Sequence, residues 1–157
     1  MKMTLVTLSV LCILAACGGP KPEDVVKGFC DAVAAGDGEK AVGYLTQEAI
    51  DMANEQIEAA KADTSGYTLD MMAALLGADV TREQLMSMDG RQIIALQFGS
   101  DLMKQVFTGA TVGQATMTGE TATVMVTLNF MGQTQEVPFQ LIRDGGSWKI
   151  SQSLEGM

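Results

Sequence analysis

The chain has 157 residues, with 10 Lys and Arg against 19 Asp and Glu and a formal net charge of −9. That length suits one ordinary domain. An acidic chain without a basic stripe argues against nucleic acid as a partner and against an electrostatic grip on anionic lipid. There is no histidine, which excludes Ser-His-Asp and Cys-His catalysis and any His-ligated zinc or copper site. No metal, cofactor or catalytic residue is expected.

The N-terminus carries Lys2 and then an apolar run from Leu5 to Ala16, broken by Thr7 and Ser9. The run is shorter than the roughly 20 apolar residues that span a bilayer, and with small residues at its end it reads as a secretory signal. Leu14-Ala15-Ala16-Cys17 resembles the lipobox of bacterial lipoproteins. That resemblance implies cleavage between Ala16 and Cys17, removal of residues 1–16, and a diacylglyceryl thioether on Cys17. The protein is then membrane-bound through covalent lipid at Cys17. One acyl chain anchors only marginally and two or more anchor stably. Mature proteins of this kind carry three, palmitate among them. Gly18 rather than Asp follows Cys17, which favours the outer over the inner membrane, in either case facing the periplasm. Residues 17–22 form a lipidated tether, and residues 23–157 a single domain.

Of the three cysteines, Cys12 leaves with the signal and Cys17 is blocked by lipid. Cys30 is left alone, so no intrachain disulfide can form and stability rests on the core.

Glu23 to Ala35 is predicted as a helix with Val25, Phe29 and Val33 on one stripe and Val26 and Cys30 beside them. Gly36 ends it, and Asp37 caps a short second helix carrying Ala41, Val42, Tyr44 and Leu45. Thr46 caps a longer helix to about Ala62. Ala49, Ile50, Ala53, Ile57 and Ala60 form its buried face, and Glu48, Asp51, Glu55 and Glu58 form its wet face. After Thr64-Ser65-Gly66 comes a helical piece from about Leu69 to Leu76, ending at Gly77. Thr81-Arg82-Glu83-Gln84 and Asp89-Gly90-Arg91-Gln92 read as capping boxes. The second opens a helix to about Phe107 with Ile94, Phe98, Leu102 and Val106 in register, although Gly99 in its middle costs about 1 kcal/mol.

From Ala110 the period becomes two. Val112 and Ala115 mark a first strand, which ends at Thr118-Gly119. Ala122, Val124, Val126, Leu128 and Phe130 then alternate with Thr121, Thr123, Met125, Thr127 and Asn129. Val137, Phe139 and Leu141 follow a turn at Met131-Gly132-Gln133, and Trp148-Lys149-Ile150 follows one at Asp144-Gly145-Gly146. Pro138 cannot donate to a ladder and belongs at an edge or bulge. Helices first and an antiparallel four-stranded meander after indicate an α+β domain.

Pro22-Glu23-Asp24-Val25-Val26-Lys27-Gly28-Phe29 is similar to the first helix of small bacterial lipoproteins of unknown function in the nuclear transport factor 2-like superfamily. Ala35-Gly36-Asp37-Gly38-Glu39-Lys40-Ala41 and Arg143-Asp144-Gly145-Gly146-Ser147-Trp148-Lys149-Ile150 resemble its second-helix start and its final hairpin. Residues 64–92 match nothing in it. The resemblance implies a curved sheet and helices around a cone-shaped cavity, which members use for catalysis, ligands or subunit contacts. Phe29, Val33, Tyr44, Phe139 and Trp148 are the candidates to line such a cavity.

The chemistry-bearing residues read mostly as structure. Cys30 lies on an apolar stripe with no histidine to activate it. The methionines, Met71-Met72 and Met86-Ser87-Met88 among them, read as core filler or adaptable contact surface rather than a Cu(I) site. The helix acids lack calcium-loop spacing, and Asp24, Asp31 and Asp51 fall on wet helix positions. The expected function is a non-enzymatic envelope module that binds a protein partner or a small apolar ligand. The alternative is a cavity enzyme of isomerase or dehydratase type, which needs a buried carboxylate with a raised pKa.

Because a hydroxyl cannot carry a thioether-linked lipid, Cys17→Ser should leave the chain unacylated and unprocessed at this site. Intact mass and detergent partitioning check this. A wild-type mass without acyl chains would overturn the lipoprotein reading.

Overall fold

A computed structural model describes residues 19–77 and 79–152. Ala16 and Cys17, with the whole signal and the acyl site, lie outside the described residues. Helix α1 (Pro22–Ala34) starts on a proline, which loses no helical hydrogen bond at that position. Its end follows from Gly36, at φ 75°. The Gly36 N–H donates to the Val33 carbonyl and the Asp37 N–H to the Ala32 carbonyl, both at 2.9 Å, the paired bonds of a Schellman stop. Asp37 then accepts from the Lys40 N–H at 3.1 Å and opens α2 (Gly38–Val42). Thr46 caps α3 (Gln47–Ala62) through the Ala49 N–H at 3.1 Å. Helices α4 (Tyr67–Leu76) and α5 (Arg82–Ser87) follow, and both expected capping boxes form, at Thr81 and at Asp89.

The helix expected to run to Phe107 is instead two, α6 (Gly90–Phe98) and α7 (Asp101–Phe107). Ser100 is extended at ψ 153°, and its hydroxyl accepts from the Met103 N–H at 3.3 Å, so it begins a new helix. The break rotates α7 so that Val106 and Phe107 are buried, while Leu102, expected in the buried register, is 47% exposed.

Strands β1 (Thr111–Thr118), β2 (Thr121–Phe130), β3 (Gln133–Asp144) and β4 (Ser147–Gln152) form one antiparallel sheet in the order β1-β2-β3-β4. The β2–β3 turn has φ 51° at Met131 and 79° at Gly132, the left-handed pair that a two-residue hairpin demands. Hydrogen-bonded and open pairs alternate from the Phe130↔Gln133 pair that closes this turn. Met125↔Pro138 is therefore an open pair, and proline removes no β2–β3 bond there. Register shifts between Val112 and Ala115 and between Gln140 and Leu141 bend the strands. Beyond β4, Leu45 adds a parallel bridge to Ile150. The Thr46 N–H donates to the Ile150 carbonyl and the Ile150 N–H to the Tyr44 carbonyl, both at 2.9 Å.

Period two puts Ala122, Val124, Val126, Leu128, Phe139, Leu141, Trp148 and Ile150 on one sheet face, and all are buried. The buried stripe of α1 packs in the same cluster, with α2, α6 and α7. The Arg143 guanidinium lies 5.2 Å from the Trp148 ring. A second cluster holds Ile57 and Ala60 of α3, Leu69 and Ala73 of α4, Leu85 of α5 and Ile93 of α6. Helices on one face of a bent four-stranded meander are the α+β arrangement the sequence implies.

Helix α6 serves both clusters, and two glycines let it. A Cβ on Gly38 would stand 1.7 Å from the Ala95 carbonyl oxygen. A Cβ on Gly90 would stand 2.6 Å from the Asn54 Cα, and the Gly90 N–H donates to Asn54 Oδ1 at 2.8 Å. Because the obstacle at Gly38 is backbone, Gly38→Ala should cost about 3 kcal/mol or more in denaturant unfolding. Gly19→Ala, with nothing within 4 Å, should cost less than about 0.5 kcal/mol. Equal stabilities would disprove the close approach of α2 to α6.

Candidate functional site

The five residues expected to line a cavity fill the interior. Phe29, Val33 and Phe139 are wholly buried, and Trp148 is buried beside them. Tyr44 is half-buried against the same cluster, its ring lying over Gly28 of α1. Phe29 meets Phe98 and Phe107 edge-on, at 5.1 and 5.7 Å between ring centroids, and Phe139 at a tilt of 58° and 5.7 Å. Where a cone would be hollow, four phenylalanines interlock.

The concave site lies elsewhere, at the seam between the two clusters. It is a groove of about 550 Å³, within the roughly 300–1,000 Å³ of small-molecule sites. Met72, Leu75 and Leu76 of α4 form one wall, and Ile93 and Gln97 of α6 form its floor. Ser100, with Leu102, Met103 and Val106 of α7, forms the second wall, and Phe130 and Gln135 close the sheet end. Met72, Leu76 and Ile93 pack with the second cluster, while Met103, Val106 and Phe130 pack with the first. None of the five expected residues lines this groove.

The groove has an apolar body and a polar corner. Eight of its lining residues are apolar and three, Gln97, Ser100 and Gln135, are uncharged polar. The Ser100 N–H donates to the Gln97 carbonyl at 3.1 Å, holding those two together at the α6–α7 corner. Leu75 is 68% exposed at the rim. Leu76 and Ser100 also border a second hollow, which carries the carboxylates Asp37, Glu39, Asp79 and Asp101.

The titratable groups are arranged for structure. Among the described residues the only buried polar side chain is Thr46, a helix cap. Hydrogen bonds from Ser65 and then Thr68 hold the Asp63 carboxyl down at about 2, and a hydrogen bond from Lys104 lowers Asp101. Neither has the raised pKa that a carboxylate base in a cavity needs. The wet-face acids of α3 stay in solvent, with Glu58 paired to Lys61 at 2.8 Å. No group of three or more His, Cys, Asp or Glu among the described residues is arranged to hold a metal ion. Met71 and Met86 point outward, while Met72 and Met88 pack against the second cluster.

Sequence reading missed the groove residues because most stand on α4 and α7. Helix α4 is apolar well beyond the Leu69 and Ala73 side that the second cluster buries, since Met71, Met72, Leu75 and Leu76 extend around it and Tyr67 and Ala74 carry on past them. A helix with so wide an apolar surface has more than one face to cover, and that was the available signal.

No family model and no curated protein matches the chain. A crystal structure of "Putative NTF2-like transpeptidase" from Campylobacter jejuni is similar at 16% identity and a TM-score of 0.45, covering 85% of this chain and 100% of that one. So remote a likeness transfers no activity.

Cys30 is buried, and desolvation, then the Asp31 charge, pushes its thiol up to about 12. The thiolate is the nucleophile. Alkylation of native Cys30 at pH 8, read by peptide mass, should therefore be more than about a hundredfold slower than in denaturant. Comparable rates would place Cys30 outside the core.

Proposed function

We propose that the protein is a lipid-anchored envelope protein, held through Cys17 at the outer membrane, whose domain binds a small apolar ligand without chemistry. The observation that carries this reading is the groove between α4, α6, α7 and the β2–β3 hairpin, with its apolar walls and its polar corner. Such a combination is what small-molecule sites use, apolar area for affinity and a few polar groups for orientation. Exposed Leu75 and Leu102 at its edge would be covered by an occupant. Flexible thioethers at Met72 and Met103 would mould to it. The tether supports the same reading, because the five steps of chain from Cys17 to Pro22 reach at most ~17 Å and keep the domain near a bilayer, where apolar ligands concentrate.

An uncharged alkyl diazirine, photolysed with the full chain in its membrane, should label the peptides containing Met72–Leu76 and Leu102–Val106. Leu102→Glu, which sets a charge at the groove wall, should cut that labelling about tenfold. Met117→Glu, exposed on β1 at the end of β2 opposite to Phe130, should not. Label spread over the exposed methionines and indifferent to Leu102→Glu would reject the groove as a binding site.

A further inference from the structure

The charge pattern around the groove narrows its occupant. All three polar lining groups are uncharged, and no Lys or Arg lines the groove. The cations of α5, α6 and α7 are each paired with a carboxylate, Arg91 of α6 with Glu39. Arg82 faces Asp70 at 3.9 Å, and Lys104 pairs with Asp101. The polar corner at Ser100 opens on the hollow that carries Asp37, Glu39, Asp79 and Asp101. Of those four, Glu39 faces Arg91 at 3.9 Å and Asp101 is paired with Lys104, so an anionic head placed there would meet Asp37 and Asp79, which have no ion pair among the described residues, and a like charge opposes binding. The net charge of −9 adds to the same field.

A neutral head meets the opposite situation. The Gln97 amide donates and accepts, and the Ser100 hydroxyl, which accepts from the Met103 N–H, still has its own O–H to donate. That set matches hydroxyl or amide groups rather than an ion. The walls favour a flexible tail, since unbranched Met72 and Met103 adapt to an alkyl chain.

We infer that the groove takes a neutral, single-chain lipid drawn from the adjoining bilayer, with its hydroxyl-bearing head at the Gln97–Ser100 corner and its alkyl chain between α4 and α7. This rests on the reading of the groove as the ligand site. The occupant is of the monoacylglycerol class. A fatty-acid anion or lysophospholipid acid is selected against by the acidic hollow.

The test uses two photoreactive probes with the same diazirine alkyl tail, one with a glycerol ester head and one with a sulfonate head that stays charged at every pH. Each is mixed at equal mole fraction into phosphatidylcholine vesicles holding the full chain, and labelling is normalised to that of the bulk lipid. The glycerol probe should label the groove peptides about tenfold more than the sulfonate probe. Gln97→Lys, at an exposed position, supplies the missing cation and should raise sulfonate labelling several-fold toward parity. Equal labelling of the wild type by both probes, or no gain with Gln97→Lys, overturns the preference for a neutral head while leaving the groove site standing. Labelling of the groove by neither probe overturns the site itself.

Discussion

Phe29 is the contact on which the domain depends. It sits on α1 and touches Phe98 of α6, Phe107 of α7 and Phe139 of β3. One side chain thus joins three helices to the sheet. Edge-to-face aromatic pairs contribute about 0.5–1.5 kcal/mol each beyond the area they bury. They also fix orientation, because an edge must meet a face. The interior is filled by this cluster, and the groove lies outside it.

The groove follows from how α6 is held. Gly38 and Gly90 bring backbone to backbone at its two ends, so α6 cannot slide or roll without a clash. Ile94, Ala95 and Phe98 face the sheet cluster, while Ile93 faces the helical cluster of α3, α4 and α5. The two cores also share α3, which gives Ile50 to the first and Ile57 and Ala60 to the second, and they diverge on either side of α6. The groove is the wedge that this divergence leaves, and neither core can fill it without giving up contacts of its own.

Much of this was legible in the chain. Asp37, Thr46, Thr81 and Asp89 mark helix starts because each carries an oxygen that satisfies an orphan N–H, a purely local effect. The alternation from Ala122 to Phe130 fixes the buried face of β2, because a strand's side chains have no third direction. The break at Gly99 and Ser100 was not legible. Ile94, Phe98, Leu102 and Val106 satisfy helical periodicity, and only the approach of Gly38 to Ala95 and the hydroxyl of Ser100 decide otherwise. The groove was hidden for a related reason. Periodicity says that a residue wants burial but not against which partner, and α4 and α7 face each other across a gap that no local pattern encodes.

The order in which the chain is made gives the Phe29 cluster a further meaning. Helix α1 leaves the ribosome early, but Phe98, Phe107 and Phe139 emerge late. Until they do, α1 is a 13-residue amphipathic helix with only the short α2 to pack on, and isolated helices of about that length are marginal in water. The N-terminal half therefore cannot lock into place ahead of the sheet. The domain closes only when the last hairpin brings in its side of the aromatic cluster.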